Sequence, residues 1–466
     1  MEDKYSHIRS AVEFCNLVRS TLGPRGMNKM VISGTDTILS NDGATIVQSI
    51  KGGNPIVELM KSLAKSQEEA IGDGTTTSIL LAGQLLSNAL SLLEKGLHPT
   101  LIINGYNLAK MECLRGLDQL HFSADKEKII KTCFGTKITR DISNKLTELL
   151  LSVNDIDNLK VFKKNNSNPL DSEIFHGCVF EGFTINDRME SDIDGKIAVL
   201  DFPVNMKFDR FNVTTADELE KATNYDTDYK QKIVDKLVEL DVKCVFYTDT
   251  TPEFETYLTD KNISGIVVFA RENVDGICNS TGAVAVSSLE QLNEAHIGQG
   301  KMKYKKEPRG MIYVNGDMET LILKGNTNQI LEEMMRAIQD AVSLLKHDLE
   351  CVVGAGAIEL ELVKGLREYS KQVGGKEKLA IDKFIESLES IPIILAENCG
   401  LDAIEILTLL ESLHQKNPDM GVDPVMGVSD AREREVFEPV LIKINAINSA
   451  TNIANLILKL DGIYQG

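Results

Sequence analysis

A chain of 466 residues exceeds what one hydrophobic core usually holds, so two or three domains are expected. With 42% hydrophobic and 26% charged residues the composition is that of a globular protein, and no apolar run reads as long enough to span a bilayer. The formal net charge of −19 repels nucleic acid from most of the surface and excludes a general nucleic-acid binder.

The opening residues, MEDKYSHIRSAVEF, are charged and helical in pattern and lack the apolar core of a signal peptide, so a cytoplasmic protein is expected. Ile8–Val18 carries apolar residues at helical spacing and stops before Gly23-Pro24, a pair that ends helices. A β-type segment, Met30–Ile46, follows, with a turn expected at Asn41-Asp42-Gly43. A helix through Ile56–Ala70 runs into Gly72-Asp73-Gly74, and Ile79–Leu93 is a strongly apolar helix with Gly96 as its C-cap candidate.

Residues 193–325 differ. Short β-rich runs (Lys196–Phe202, Lys243–Tyr247, Gly265–Phe269, Ala283–Ser287) alternate with helical stretches such as Thr215–Leu240, and Met311–Leu323 reads as a hairpin around Asn315-Gly316-Asp317. That alternation predicts a separate α/β domain. The last third returns to helices at Gln329–Lys346, Ala357–Tyr369, Glu377–Glu389, Leu401–His414 and Asn445–Leu460. A domain inserted between two halves of another explains this order.

Eight cysteines are scattered singly, with no CxxC pair, HExxH motif or zinc set, and read as reduced, mostly buried thiols. The one basic stretch, Lys301, Lys303, Lys305, Lys306 and Arg309, reads as a solvated loop or a subunit contact rather than an RNA site.

The sharpest local signal is Gly72-Asp73-Gly74-Thr75-Thr76-Thr77-Ser78, directly before the long apolar helix. Glycines open backbone angles closed to other residues and let a ligand approach closely. Hydroxyls and free N–H groups at a helix start make an anion site, favoured by the helix dipole. Asp73 adds a hard oxygen of the kind Mg²⁺ takes together with phosphate oxygens. The alternative is a single Thr or Ser N-cap after a flexible turn, and four hydroxyls in a row exceed that need. Leu22-Gly23-Pro24-Arg25-Gly26 and Asn41-Asp42-Gly43-Ala44-Thr45 are weak signals singly. No G-x-x-x-x-G-K-[ST] occurs, so a P-loop enzyme is excluded.

Taken together and in this order, Thr21–Met27, Asn41–Ile46 and Gly72–Thr77 closely resemble the ATP-site motifs of the chaperonins, in the spelling of the group II branch (TRiC/CCT and thermosome). Val352–Glu361 resembles that family's glycine-rich ribose-side loop, and Phe437-Glu438-Pro439 its ribose-holding acid. Glu359–Ser370 and Phe437–Ala450 look most like the eta subunit. The resemblance covers nearly the whole chain and is weakest between about 185 and 310.

The resemblance implies an α+β multidomain chaperonin fold. A helical equatorial ATP-binding domain would span 1–121 and 353–466, an intermediate domain 122–188 and 310–352, and an inserted α/β apical domain 189–309, with a helical lid protrusion near 205–228. It implies ATP or ADP with Mg²⁺, and admits K⁺. Asp73 would bind the metal, while Gly74, Thr75, Thr76 and Thr77 with Leu22, Gly23 and Pro24 would cradle phosphates. Asp42 would lie near the γ-phosphate, Asp340 would orient the attacking water, and Lys137, after Thr136, would sense the γ-phosphate. Gly356 and Glu438 would lie on the ribose side. Lys137 and Asp340 would swing over bound nucleotide as the intermediate domain closes.

The implied partners are paralogous subunits in a double ring and unfolded clients of the actin and tubulin class. One departure stands out: the family's glycine triplet reads Gly354-Ala355-Gly356. Either the middle position needs a positive φ, so that Ala355 carries strain of about 1 kcal/mol, or its methyl group crowds the nucleotide. A ring subunit that binds nucleotide and scarcely hydrolyses it is therefore the alternative reading. A small-molecule phosphotransferase is a remoter one, since no compact acid–base set accompanies the glycine loops.

Overall fold

A computed structural model describes residues 5–33, 36–51, 53–182, 189–205, 216–268, 270–305, 310–347 and 350–461; for Ser33, Asp36 and residues 216–225 it describes backbone alone. The chain divides into two compact units, Met1–Leu151 with Thr327–Gly466, and the uninterrupted segment Ser152–Asn326. An α+β chain with an inserted unit is the architecture expected from the element order.

The first unit opens with α1 (Ser6–Asn16), the hairpin β1 (Lys29–Ser33) and β2 (Asp36–Ser40), α2 (Gly43–Ser49), α3 (Pro55–Ile71), α4 (Thr75–Glu94) and α5 (Pro99–Leu120). It continues through β3 (Phe122–Ser123), α6 (Lys126–Gly135) and α7 (Arg140–Ser152). The inserted unit holds β4 (Lys160–Lys164), β5 (Glu173–Glu181), β6 (Asp192–Leu200), α8 (Ala216–Glu239), β7 (Val242–Tyr247), α9 (Pro252–Asp260), β8 (Ser264–Val267), α10 (Arg271–Thr281), β9 (Gly298–Lys305) and β10 (Met311–Lys324). The first unit resumes with α11 (Asn328–Leu345), β11 (Glu350–Val353), α12 (Ala357–Gln372), α13 (Glu377–Asn398) and α14 (Ala403–Leu413). It closes with β12 (Met420–Asp423), β13 (Gly427–Asp430), β14 (Phe437–Pro439) and α15 (Val440–Leu458).

The first unit's core is drawn from both ends of the chain: Ile79, Leu81 and Leu85 of α4 pack in one cluster with Ile8 of α1, Phe384 and Leu388 of α13 and Ile447 of α15. Among the described residues α4 is the one helix long and apolar enough to cross a membrane, contrary to the expectation that none is. Thirteen of its 20 residues are buried, so its apolar character serves this core. Gly96, at φ +82°, ends the helix as expected, and the Leu97 N–H donates back to the Leu92 carbonyl at 3.0 Å.

Three expectations about elements are corrected. Asn41-Asp42-Gly43 is a helix start rather than a hairpin turn: the Asp42 carboxylate accepts from the Thr45 N–H at 2.8 Å and caps α2. Asn315-Gly316-Asp317 is a bulge inside one 14-residue strand, β10, whose partner β5 runs on past it. A side chain at Gly316 would collide with the Ser280 carbonyl of α10, which is why glycine stands there. Ala283–Ser287 forms a single bridge, Leu200 to Val286, rather than a strand. In addition, α13 runs beyond the expected end through Pro392, because Ile391 and Ile394 are buried in the core.

The inserted unit is built on a seven-stranded sheet in which β6, β7 and β8 are parallel, with α8 and α9 as crossovers. Lys301 and Lys303 lie on β9, directly opposite Asp194 and Asp192 of β6, and pair with them at 3.1 and 3.2 Å. The described part, Lys301–Lys305, is thus a charge-balanced strand with exposed lysines rather than a loop. Lys306, Arg309 and residues 206–215 of the expected lid segment lie outside the described residues. All eight cysteines are free, seven of them buried.

Candidate functional site

The first unit encloses a cavity of 460 Å³, walled by the glycine loops of the sequence reading and by segments far away in the chain. Its floor is the start of α4. Gly74 is the N-cap, at φ +81°, and makes no side-chain capping bond, so Thr75, Thr76 and Thr77 are the first helical residues rather than caps. Their N–H groups point out of the helix end without intrahelical partners, which is the anion-binding reading. A side chain at Gly74 would strike Ile442 of α15, so the tight approach and the left-handed backbone both demand glycine. Asp73 accepts from the Gly74 N–H at 2.9 Å, and Gln67 donates to the Asp73 carbonyl at the same distance.

Two neighbouring loops close on this floor. Leu22, Gly23 and Pro24 line the cavity, and Asn398 of α13 donates to the Leu22 carbonyl at 2.8 Å. Asp42 lines it from the start of α2, while Asn41 donates to the Thr136 carbonyl at 2.8 Å and ties the loop to the end of α6. Beyond Thr136, the Lys137 ammonium lies 3.2 Å from Asp73 and pairs with Asp340 of α11. Asp340 is reached through Lys137 and does not itself line the cavity.

Two carboxylates, Asp73 and Asp340, here face one ammonium, and the charge of Asp42 is felt at Asp340. Burial pushes the Asp340 carboxyl up to about 7, helped by the charges of Asp73 and Asp42 and opposed by Lys137. Burial works against the Lys137 charge as well, yet Asp73 and Asp340 raise it well above its ordinary range. The two rises differ in cause: neighbouring carboxylates hold the ammonium's proton, while burial favours the neutral form of Asp340. Among the described residues no three metal-ligating side chains converge as a protein-only cage. Mg²⁺ usually takes one or two carboxylates plus phosphate oxygens, and the excess of carboxylate beside an anion-binding helix end fits that requirement.

The same cavity is lined by the residues of the nucleoside side of the sequence reading. Gly356, at φ +83°, caps α12, and Ala355 is itself left-handed at φ +56° while its carbonyl accepts from the Val422 N–H at 2.9 Å. The backbone strain of one reading of Ala355 is present, and Ala355 also lines the cavity, as the other reading requires. Glu438 lines the cavity from β14, across from Val352 of β11.

Several groups on this side escaped the sequence reading. Lys443 of α15 lies 2.7 Å from Glu438 and 2.8 Å from Glu359 of α12. Asp423 of β12 pairs with Arg434 and accepts from Ser429 at 2.8 Å. Lys443 and Glu359 stand 84 positions apart, and no local spacing marks such a pair.

A family model described as the TCP-1/cpn60 chaperonin family matches residues 14–465. The chain is 32% identical to a thermosome subunit of Pyrococcus abyssi and to a thermosome subunit beta of Thermococcus kodakarensis, covering 98% of this chain and 90% of each relative. It is also 32% identical to thermosome subunit 2 of Haloferax volcanii, over 98% of this chain and 88% of that protein.

Proposed function

Because the chain belongs to the TCP-1/cpn60 chaperonin family, we propose that it is an ATP-hydrolysing subunit of a cytoplasmic double-ring chaperonin that encloses and folds client proteins. The observation that carries this reading is the convergence of Asp42, Asp73 and Lys137 with the uncapped start of α4 on one cavity, with Asp340 paired behind Lys137. Mg²⁺ with ATP would supply the phosphoanhydride whose hydrolysis drives lid closure.

The chain's own residues would divide the work. Asp73 holds the metal; Gly74 to Thr77 with Leu22, Gly23 and Pro24 cradle phosphates. Lys137 and Thr136 meet the terminal phosphate beside Asp42, and Asp340 orients the attacking water. Gly356 and Glu438 hold the sugar. Phosphoryl transfer asks for positioning and charge neutralisation more than covalent chemistry, and these residue types provide both. The three-domain division, with an equatorial, an intermediate and a client-binding apical domain, belongs to the same proposal, as does a lid near 205–228.

Asp340→Ala tests it, in a ring where this chain is the one competent ATPase. ATP should stay bound while turnover falls about a hundredfold or more; unchanged hydrolysis refutes the role of Asp340. The second reading, a ring member that binds nucleotide without turnover, is favoured by the left-handed Ala355. Tight ATP binding with no measurable hydrolysis by the unaltered chain would establish it. The eta-like spelling of 359–370 and 437–450 supports a ring of paralogues with cytoskeletal clients. Native mass spectrometry of the protein from its own cells separates that from a ring of this chain alone.

A further inference from the structure

The two carboxylates on either side of Lys443 are unequal. Glu359 is 4% and Lys443 5% exposed, so this ion pair lies inside the protein. Lys443 and Glu438 both reach the cavity lining, whereas Glu359 stands behind them. One oxygen of Glu359 accepts from Lys443 and the other, Oε2, has no partner though it is buried. A buried carboxylate with an unmet oxygen contributes poorly to stability, and a buried pair is weak evidence of a stabilising role. The arrangement makes better sense as a mount: Glu359 fixes the ammonium from α12, and the ammonium in turn fixes the carboxylate at the cavity.

We propose that Lys443 is a positioning residue for the nucleoside side of the cavity, anchored by Glu359 and holding Glu438 so that the carboxylate can accept from a sugar hydroxyl. Strength of binding to a ribose, relative to a deoxyribose, then depends on a lysine that need not touch the sugar. This rests on the reading of Glu438 as the sugar-holding acid. The geometry also accounts for glycine at position 354, where a Cβ would lie 2.6 Å from Glu438 Oε1 and push the carboxylate off its mount.

The test compares equilibrium binding of ATP, 2′-deoxy-ATP, 3′-deoxy-ATP and inorganic tripolyphosphate to the purified assembled protein. A hydrogen bond to a charged acceptor corresponds to about tenfold or more in affinity, so the unaltered protein should favour ATP over at least one deoxy analogue by about that factor. Lys443→Met should bring that ratio to within about twofold of one and leave tripolyphosphate affinity unchanged. Lys443→Arg should restore part of the ratio. Because Lys443→Met leaves two carboxylates uncompensated, the double variant Lys443→Met with Glu359→Gln supplies a folded alternative, in which Glu438 alone keeps its charge and the same loss of discrimination is expected.

If these variants weaken ATP and both deoxy analogues equally, with the ratio intact, Lys443 is structural and the inference is wrong. Glu438→Gln separates the two claims. Should it abolish the ratio while the Lys443 variants do not, the positioning role alone fails. Should the unaltered protein not discriminate, or Glu438→Gln leave the ratio untouched, the sugar-holding reading of Glu438 fails and the inference falls with it.

Discussion

At position 355 a methyl group sits on a left-handed backbone, φ +56°, between Gly354 and Gly356. That conformation costs an L-residue about 1–2 kcal/mol. Ala355→Gly should therefore stabilise the protein by about 0.5–1 kcal/mol, once the greater freedom of the unfolded glycine chain is subtracted. Chemical denaturation measures it, and a loss of stability would mean that the alanine makes packing contacts worth more than its strain. A second residue-scale expectation concerns pH. The buried His414 ring holds the Glu361 carboxyl below the usual carboxylate range, aided by Lys364, and lies 3.3 Å from it. A depressed folded value means that this group stabilises the fold above the unfolded carboxylate value, about 4.3, and that the contribution is lost as pH falls through the folded value. Glu361→Gln should lower stability in the neutral region, where the contribution is fully present, and flatten the acid limb, leaving the lowest pH little changed. An acid limb identical to that of the unaltered protein would remove Glu361 from the account of acid sensitivity.

Among the elements, β10 shows most clearly how tertiary contacts override a local signal. Asn-Gly-Asp between apolar runs is strong hairpin chemistry. Yet β5 supplies hydrogen-bond partners on both sides of it, from Glu181 to Glu173, and the strand continues through a bulge. Sequence cannot show that a partner runs past the turn. Gly316→Val would drive side-chain atoms into the α10 backbone at Ser280 and should destabilise the inserted unit by about 1–3 kcal/mol. A melting temperature unchanged by that substitution would mean that α10 can move away at little cost. By contrast, α3 was legible to within a residue at each end and α4 at its end, which Gly96 marks, whereas α4 starts at Thr75, four residues before the expected Ile79. The start of α2 was missed for a physical reason: Asp42-Gly43 serves equally well as a turn and as an N-cap, and Thr45 decides between them by donating its N–H.

For the whole molecule, the two units differ in how the chain builds them. The inserted unit is one continuous segment with cores of its own, around Val245 and Phe254 on one side and Phe180 and Phe246 on the other. Residues 152–326 expressed alone should fold and melt cooperatively, as followed by circular dichroism. Residues 1–151 alone should not, because α4 packs in one cluster with residues of α13 and α15, from beyond the insertion. Cooperative melting of 1–151 would show that the amino-terminal helices form a core unaided.

Sequence by itself determined the chemistry of the cavity floor: glycine, acid and threonine at a helix start are adjacent residues, and adjacency suffices to bring their backbone groups to one point. It also determined the coarse order, helical, then α/β, then helical, since periodicity is local. Only the tertiary structure decided which distant groups complete the site. Lys137 meets Asp340, and Lys443 meets Glu359, by virtue of helix packing across 203 and 84 positions of chain. Such pairings are set by which buried faces pack together, and charge spacing along the sequence carries no trace of them.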